Sequence, residues 1–215
     1  MEKALQTLLQ EAVVCEATSR TDRGVHAQGQ VVWFVSPKSL SLKTVQRGLN
    51  ALLPSDIRVR EITAHSLPQA TSKTYHYHLC LGSVQDPFHR RFSWHYPYPI
   101  DLTLMQNAAA ELLGTHDFSA FSTEPPEDPV RTLFDLELIP LPGWRLLIAM
   151  TGDRFLYKMA RTIAGTFANI GSQKLPKDLI PRLFAQPDRT LAGMTAPAHG
   201  LTLHAISFAK INSDT

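Results

Sequence analysis

Residues 20–30 hold the side chains best suited to chemistry in this chain of 215 residues. Asp22 stands between Arg20 and Arg23, and a cation within a few ångströms keeps a carboxylate ionised at neutral pH. Gly24 permits the tight backbone path of a turn. An ionised carboxylate held in a turn can act as a nucleophile or as a base, although an aspartate close to a glycine is also ordinary turn chemistry.

Two apolar stretches flank this polar turn, and we predict that residues 13–15 and 31–35 are buried strands that hold it in place. Residues 116–118 are predicted to form a loop, and the acidic, proline-rich residues 124–129 a mobile surface loop. The periodicity of the remaining chain predicts helices over residues 1–10, 42–52, 102–113, 154–170 and 177–184, and strands over residues 57–62, 74–81, 132–139, 144–150 and 201–208.

Composition places the chain among ordinary soluble globular proteins, with 44% hydrophobic and 19% charged residues. No apolar run reaches the length of a membrane span and no signal peptide pattern opens the chain, which predicts a cytoplasmic protein. The net charge of +2 is compatible with a nucleic-acid partner without requiring one. Cys15 and Cys80 have no paired spacing, so we predict free thiols.

Six segments together resemble, in order, the tRNA pseudouridine synthase A family. The resemblance spans nearly the whole chain, and an ordered set of this kind is far more specific than the aspartate motif alone. The segments are residues 19–31, 50–57, 71–77, 114–121, 159–165 and 195–201.

The resemblance implies an isomerase that converts uridine to pseudouridine in the anticodon stem and loop of tRNA, with no metal and no cofactor. Asp22 matches the catalytic aspartate, Arg20 the motif arginine, and Arg161 the arginine that pairs with the aspartate. Tyr75 matches the tyrosine that stacks on the target base, and Leu201 the apolar residue that lines the uracil pocket. Further residues predicted to contact the substrate are Arg23, His26, Arg58 and Lys158.

The family fold implied by the resemblance is α+β, with two related ferredoxin/RRM-like lobes that share a mainly antiparallel sheet, flanking helices and a central basic cleft. Residues 1–95 would form the first lobe and residues 96–215 the second, with residues 85–99 as the boundary. A homodimer is implied as well. The chain opens inside the first helix, without the strand that normally precedes it, which predicts an exposed sheet edge there.

Three alternatives follow from the residues. A chain lacking the first strand and the usual arginine and phenylalanine near residues 66–70 could be an RNA-binding module of the same fold that has lost turnover. A glycoside hydrolase is disfavoured because Asp22 has no second carboxylate within its motif. His76 and His78 point the same way along a strand, but without a third ligand they predict no metal site.

Overall fold

The computed structural model describes residues 1–36, 38, 40–64 and 69–209, which form five helices and nine strands. The mixed α+β class predicted from the sequence is confirmed. The helices are α1 (Glu2–Leu9), α2 (Leu42–Leu52), α3 (Leu102–Leu112), α4 (Met159–Gly171) and α5 (Leu179–Ala185). The strands are β1 (Cys15–Ala17), β2 (His26–Ala27), β3 (Val32–Phe34), β4 (Ala70–Cys80), β5 (Trp94–His95), β6 (Gly114–Asp117), β7 (Val130–Leu141), β8 (Arg145–Gly152) and β9 (Leu201–Phe208).

The chain divides into two compact units. The first comprises the described residues of 1–20 and 31–69 together with Ala209, and the second comprises residues 21–30 and 70–208. These units differ from the lobes expected from the family resemblance, because residues 70–95 group with the later part of the chain. The lobe division, the ferredoxin/RRM-like relation of the lobes and the basic cleft stay predictions.

In the first unit, α1 and α2 pack together around a small apolar core that includes Leu5, Leu9 and Leu49. β1 and β3 pair antiparallel beside it. The predicted strand at residues 13–15 is wrong in its position, because the pairing begins at Cys15 and Val14 is 76% exposed. Leu42 and Leu52, at the ends of α2, lie outside this core and are exposed.

The predicted strand over residues 57–62 is wrong, because side chains of α2 satisfy its backbone. The Asn50 amide accepts from the Val59 N–H at 2.7 Å and donates to the Val59 carbonyl at 2.9 Å. Gln46 donates to the Arg60 carbonyl at 2.7 Å. The segment is therefore extended but bonded to a helix, which a residue alternation cannot distinguish from a strand.

The second unit is built on a seven-stranded sheet in the order β2-β9-β4-β8-β7-β6, with β5 paired to β4. Most pairs are antiparallel, and the pairs β2 with β9 and β4 with β5 are parallel. The strands predicted at residues 132–139 and 144–150 are confirmed as β7 and β8, which pair antiparallel. Residues 116 and 117, predicted as loop, belong to β6, because their backbone pairs with β7.

The core of this unit forms where α3 and α4 meet the sheet. On β4, Tyr77 and Leu79 are fully buried and Tyr75 is 7% exposed, which confirms the predicted alternation. The β4 strand therefore presents a fixed aromatic face to the unit's interior, and it pairs with β9 on one side and β8 on the other.

The helix predicted over residues 154–170 begins later than expected, at Met159. Lys158 is its N-cap with φ of 61°, a left-handed conformation that non-glycine residues adopt rarely. Arg154 lies before this break and is exposed. It therefore does not share a helical face with Arg161, since helical spacing does not extend across residue 158.

Candidate active site

Asp22 opens a turn that the backbone closes by a hydrogen bond. The N–H of Val25 donates to the Asp22 carbonyl at 3.0 Å. Gly24, the second central residue, has φ of 86°, which a type II turn requires at that position and which favours glycine. A Cβ on Gly24 would lie 3.4 Å from the Ala198 Cβ, so the turn is in contact with the segment that precedes β9.

The residues after this turn are attached directly to β9. His26 and Ala27 form β2 and pair with Thr202 and Leu203. Gly29 then lies so close to β9 that a Cβ would be 2.4 Å from the His204 carbonyl oxygen. A larger residue at 29 would displace the loop, so this glycine fixes the path that carries the aspartate.

The carboxylate of Asp22 forms an ion pair with Arg161, 139 residues away in sequence, and the Nη1 of the arginine lies 2.6 Å from Oδ2. The side chains are 19% and 15% exposed, so the pair is largely withdrawn from water. Arg161 lies in the first turn of α4, where the helix dipole disfavours a cation. A carboxylate partner compensates for this, and charge-assisted bonds of this kind are short and strong.

A segment of residues 193–197, which we call the strap, holds the other side of the guanidinium. Arg161 Nε donates to the Ala196 carbonyl at 2.8 Å, and the Ala196 N–H donates to the Arg161 carbonyl at 3.1 Å. The hydroxyl of Tyr77 donates to the Pro197 carbonyl at 2.9 Å. The guanidinium of Arg161 is thus held by hydrogen bonds at two nitrogens, Nε and Nη1, and has little freedom to turn away from Asp22.

Two of the predicted substrate residues lie on adjacent strands. Tyr75 is buried, and its ring meets Phe155 edge-on with centroids 4.9 Å apart. Leu201 is 5% exposed and lies opposite Tyr77 in the pairing of β9 with β4. Burial raises the pKa of the Tyr77 hydroxyl, and the nearby Arg161 lowers it by less. Tyr77 therefore stays neutral at physiological pH and serves as a hydrogen-bond donor.

Three other predicted residues belong to the same unit as this centre. His26 Nε2 lies 2.8 Å from the Arg91 carbonyl and therefore carries a proton, and its ring packs against Phe92 with centroids 4.6 Å apart. Arg23 is exposed. The ammonium of Lys158 lies 4.5 Å from the centre of its neighbouring tyrosine ring.

Arg20 and Arg58 belong to the first unit, and both side chains are exposed. The expectation that Arg20 and Arg23 supply the charge partner of Asp22 is replaced by the observed pair with Arg161. Sequence neighbours are poor candidates for such pairing, because side chains next to one another along a chain point in different directions.

The histidine pair predicted on β4 contacts a third histidine. The rings of His76 and His204 stack with centroids 3.8 Å apart, and His204 Nδ1 lies 3.0 Å from the Gln28 side-chain oxygen. Burial, His204 and His78 together lower the pKa of His76 to about 4. Among the described residues, no three His, Cys, Asp or Glu side chains are placed to hold a metal ion.

Sequence reasoning missed the strap and the role of Tyr77. The available signal was a run of small residues in the strap. Gly193 in the strap and Gly165 in α4 allow the two backbones to approach closely. A Cβ on Gly165 would lie 1.9 Å from the Met194 carbonyl oxygen, and one on Gly193 would lie 2.5 Å from the Thr166 Cα. Small residues at both contact points let two backbones touch.

The site thus consists of a carboxylate on a hydrogen-bonded turn, a guanidinium fixed by the strap, and buried aromatic and aliphatic side chains on β4 and β9. The chain matches the tRNA pseudouridine synthase family over residues 1–72 and 108–209. This match covers more than half of the chain, and the protein belongs to that family. Among the described residues, no helix has both the length and the apolar character needed to cross a bilayer.

Curated relatives extend the similarity over almost the full chain. A protein of Protochlamydia amoebophila named tRNA pseudouridine synthase A 2 is 40% identical over 97% of this chain and 83% of its own length. The tRNA pseudouridine synthase A of Bacillus licheniformis is also 40% identical, over 97% of this chain and 87% of its own. The tRNA pseudouridine synthase A 1 of Bacillus cereus is 37% identical with the same coverage.

Proposed function

We propose that this protein is a tRNA pseudouridine synthase that isomerises uridine in the anticodon stem and loop, with Asp22 as its catalytic residue. The observation that carries the proposal is the partly buried ion pair of Asp22 with Arg161, two residues that family resemblance assigned to one site and whose Oδ2 and Nη1 atoms lie 2.6 Å apart. The family match and the names of the relatives support the same activity.

The reaction breaks the bond between N1 of uracil and C1′ of ribose and forms a bond between C5 and C1′. The proton leaves C5 and one is gained at N1, so the atoms balance without an oxidant or a co-reactant. An ionised carboxylate near the sugar can act as nucleophile at C1′ or as base toward a ribose proton. Both roles require a carboxylate that is held still, and the hydrogen bond from Arg161 fixes the position of the Asp22 carboxylate.

The remaining site residues take supporting roles in this proposal. Tyr75 stacks on the uracil and Leu201 lines its pocket, since a flipped-out base needs an aromatic face and an apolar wall. Phosphates near the target nucleotide are held by cations, because backbone contacts dominate affinity for RNA. The cations assigned to these contacts are Arg20, Arg23, Arg58 and Lys158, and His26 is a further residue assigned to contact the substrate.

The working unit in this proposal is a cytoplasmic homodimer that uses neither metal nor cofactor. Family resemblance supports this assignment. Light scattering coupled to size-exclusion chromatography tests the dimer, and a mass corresponding to one 24.0 kDa chain at assay concentration would refute it.

The substitution Asp22→Asn tests the catalytic assignment. It keeps the size of the side chain and an acceptor for Arg161 but removes the charge. We expect pseudouridine formation in an anticodon-arm transcript to vanish while the transcript still binds. Because the ion pair also stabilises the fold, a melting curve of each protein must accompany the assay.

The matched control is Asp178→Asn, which breaks the exposed ion pair of Asp178 with Arg182 on α5 and should leave turnover at the wild-type level. An Asp22→Asn protein that melts early but converts uridine normally would show that the pair is only structural. A wild-type protein that binds RNA and never converts it would favour the binding-module alternative, which the names of the relatives do not support.

A further inference from the structure

Arg189 lies outside every motif that resembles the family, yet its guanidinium is bonded to the strap at two points. Nη1 donates to the Gly193 carbonyl at 2.9 Å, and Nη2 donates to the Thr195 hydroxyl oxygen at 3.0 Å. The turn that carries Arg189 is itself closed by Asp188, whose carboxylate accepts from the Thr190 N–H at 2.8 Å and from its hydroxyl at 2.7 Å. The turn from which the Arg189 side chain extends is therefore held by hydrogen bonds.

We propose that Arg189 is a positioning residue that sets the orientation of the Arg161 guanidinium through the strap. The inference rests on the proposed function, in which Arg161 supports Asp22. Arg189 itself touches neither of these two side chains in the contacts described above. It acts on the strap, whose Ala196 carbonyl accepts a hydrogen bond from Arg161.

The first step of the connection runs through Thr195. Because Arg189 can only donate, the Thr195 oxygen must accept from it, and the Thr195 proton is left to point elsewhere. The Thr162 hydroxyl lies 3.4 Å away and is the available partner. Thr162 follows Arg161 directly in α4, so the strap is fastened to the helix beside the residue it orients.

The second step is the backbone of the strap itself. The Gly193 N–H donates to the Thr166 hydroxyl at 3.0 Å, and that hydroxyl donates to the Thr162 carbonyl at 2.8 Å. One residue beyond Thr195, the Ala196 carbonyl accepts from Arg161 Nε. A shift of the strap away from α4 would therefore move this acceptor.

The environment of Arg189 argues against an incidental surface residue. Its Nε is buried and has no hydrogen-bond partner among the described residues. Burial also lowers the pKa of the guanidinium. Leaving the buried Nε–H unpaired is unfavourable. The side chain nevertheless keeps the conformation in which Nη1 and Nη2 bond to the strap. Exposed arginines that only aid solubility have no such constraint.

A double-mutant cycle tests the proposal. Arg189→Gln is made in the wild type and in an Arg161→Gln protein, and kcat and KM are measured on an anticodon-arm transcript. A displacement of about 1 Å at a supporting group lowers turnover roughly 10- to 100-fold, so we expect kcat to fall by that factor in the wild type with KM unchanged. In the Arg161→Gln protein the second substitution should change kcat by less than about twofold, because the residue acts through Arg161.

The matched control is Arg182→Gln, which removes an equal charge from the neighbouring α5 helix, where Arg182 is exposed and forms an ion pair with Asp178. It should leave both kinetic constants unchanged. The proposal would be overturned if Arg189→Gln lowered kcat by the same factor in both backgrounds. It would also be overturned if the substitution raised KM and left kcat unchanged.

A measurement independent of turnover keeps this inference separate from the proposed function. The Nε–H of Arg161 donates to the Ala196 carbonyl, and its nitrogen can be followed by nuclear magnetic resonance. We expect exchange of this proton with water to be at least about tenfold faster in Arg189→Gln than in Arg182→Gln. If the wild type never forms pseudouridine but this difference is seen, the proposed function fails and the positioning role stands. If the proton exchanges equally in both variants, the positioning role fails.

Discussion

Gly165 lies where α4 and the strap touch, and the substitution Gly165→Ala gives the most direct test of that contact. An added Cβ would be 1.9 Å from the Met194 carbonyl oxygen and 3.0 Å from its carbon. Carbon and oxygen atoms in ordinary contact are about 3.4 Å or more apart, so the strap must move by about 1.5 Å. A backbone carbonyl cannot rotate out of the way as the end of a side chain can.

Two opposing effects set the magnitude. Alanine is favoured over glycine inside a helix by about 1 kcal/mol. Overpacking a close contact costs about 1–3 kcal/mol, and a displacement this large belongs at the upper end. We therefore expect a net loss of about 2 kcal/mol in the free energy of unfolding, or roughly 4–8 °C in Tm for a chain of this size. Turnover should fall about 100-fold, because the Ala196 carbonyl moves away from Arg161.

The assay compares Tm and pseudouridine formation for Gly165→Ala and for Gly48→Ala in α2. At Gly48 an added Cβ would be 2.5 Å from Leu8 Cδ1, the flexible end of a side chain, so the control should keep normal turnover. Normal turnover and normal Tm in Gly165→Ala would refute the close contact itself. A lower Tm with normal turnover would refute the link between the strap and Arg161.

Three further predictions concern other parts of the molecule. Burial lowers the pKa of His76 to about 4, below the value of an unfolded histidine. Between pH 4 and about 6.5 the unfolded chain therefore binds more protons than the folded chain, so the free energy of unfolding should fall as pH drops through this range. His76→Asn, which also removes the stack on His204, should flatten this pH dependence in melting curves. Asn50→Ala should lower the free energy of unfolding by about 2 kcal/mol in urea titrations with unchanged m, because two bonds to Val59 are lost, and an unchanged midpoint would refute this. Arg58→Gln should reduce the slope of log affinity for tRNA against log salt by about one while turnover stays normal, and an unaltered slope would exclude a phosphate contact there.

Local periodicity in the sequence was enough to predict most of the regular elements. The helix at residues 42–52 and the strand at 201–208 have the predicted bounds, because apolar spacing of 3.6 or 2 residues reports directly which face is buried. The motif around Asp22 likewise singled out this carboxylate as the candidate catalytic group. These features depend on residues within a few positions of one another along the chain.

Local patterns failed where the backbone found partners outside regular structure. Residues 57–62 alternate like a strand but bond to Asn50 and Gln46. The pattern at residues 154–170 is helical throughout, yet a left-handed residue at Lys158 breaks it. In both places the spacing of apolar residues was compatible with two structures. Hydrogen bonds from the side chains of Asn50 and Gln46 decided between them at residues 57–62, and the left-handed backbone of Lys158 did so at the start of α4.

The family resemblance implied Arg161 as the partner of Asp22, but no spacing or periodicity in the sequence showed it, and the tertiary structure places the two side chains in contact. Arg161 is 139 residues away, and its distance from the aspartate depends on the parallel pairing of β2 with β9, on the close approach at Gly29, and on the strap lying against α4. None of these three contacts produces a periodic pattern in the sequence. Strand order and backbone contact between distant segments bring the two charges together, and neighbouring residues in the sequence carry no record of either.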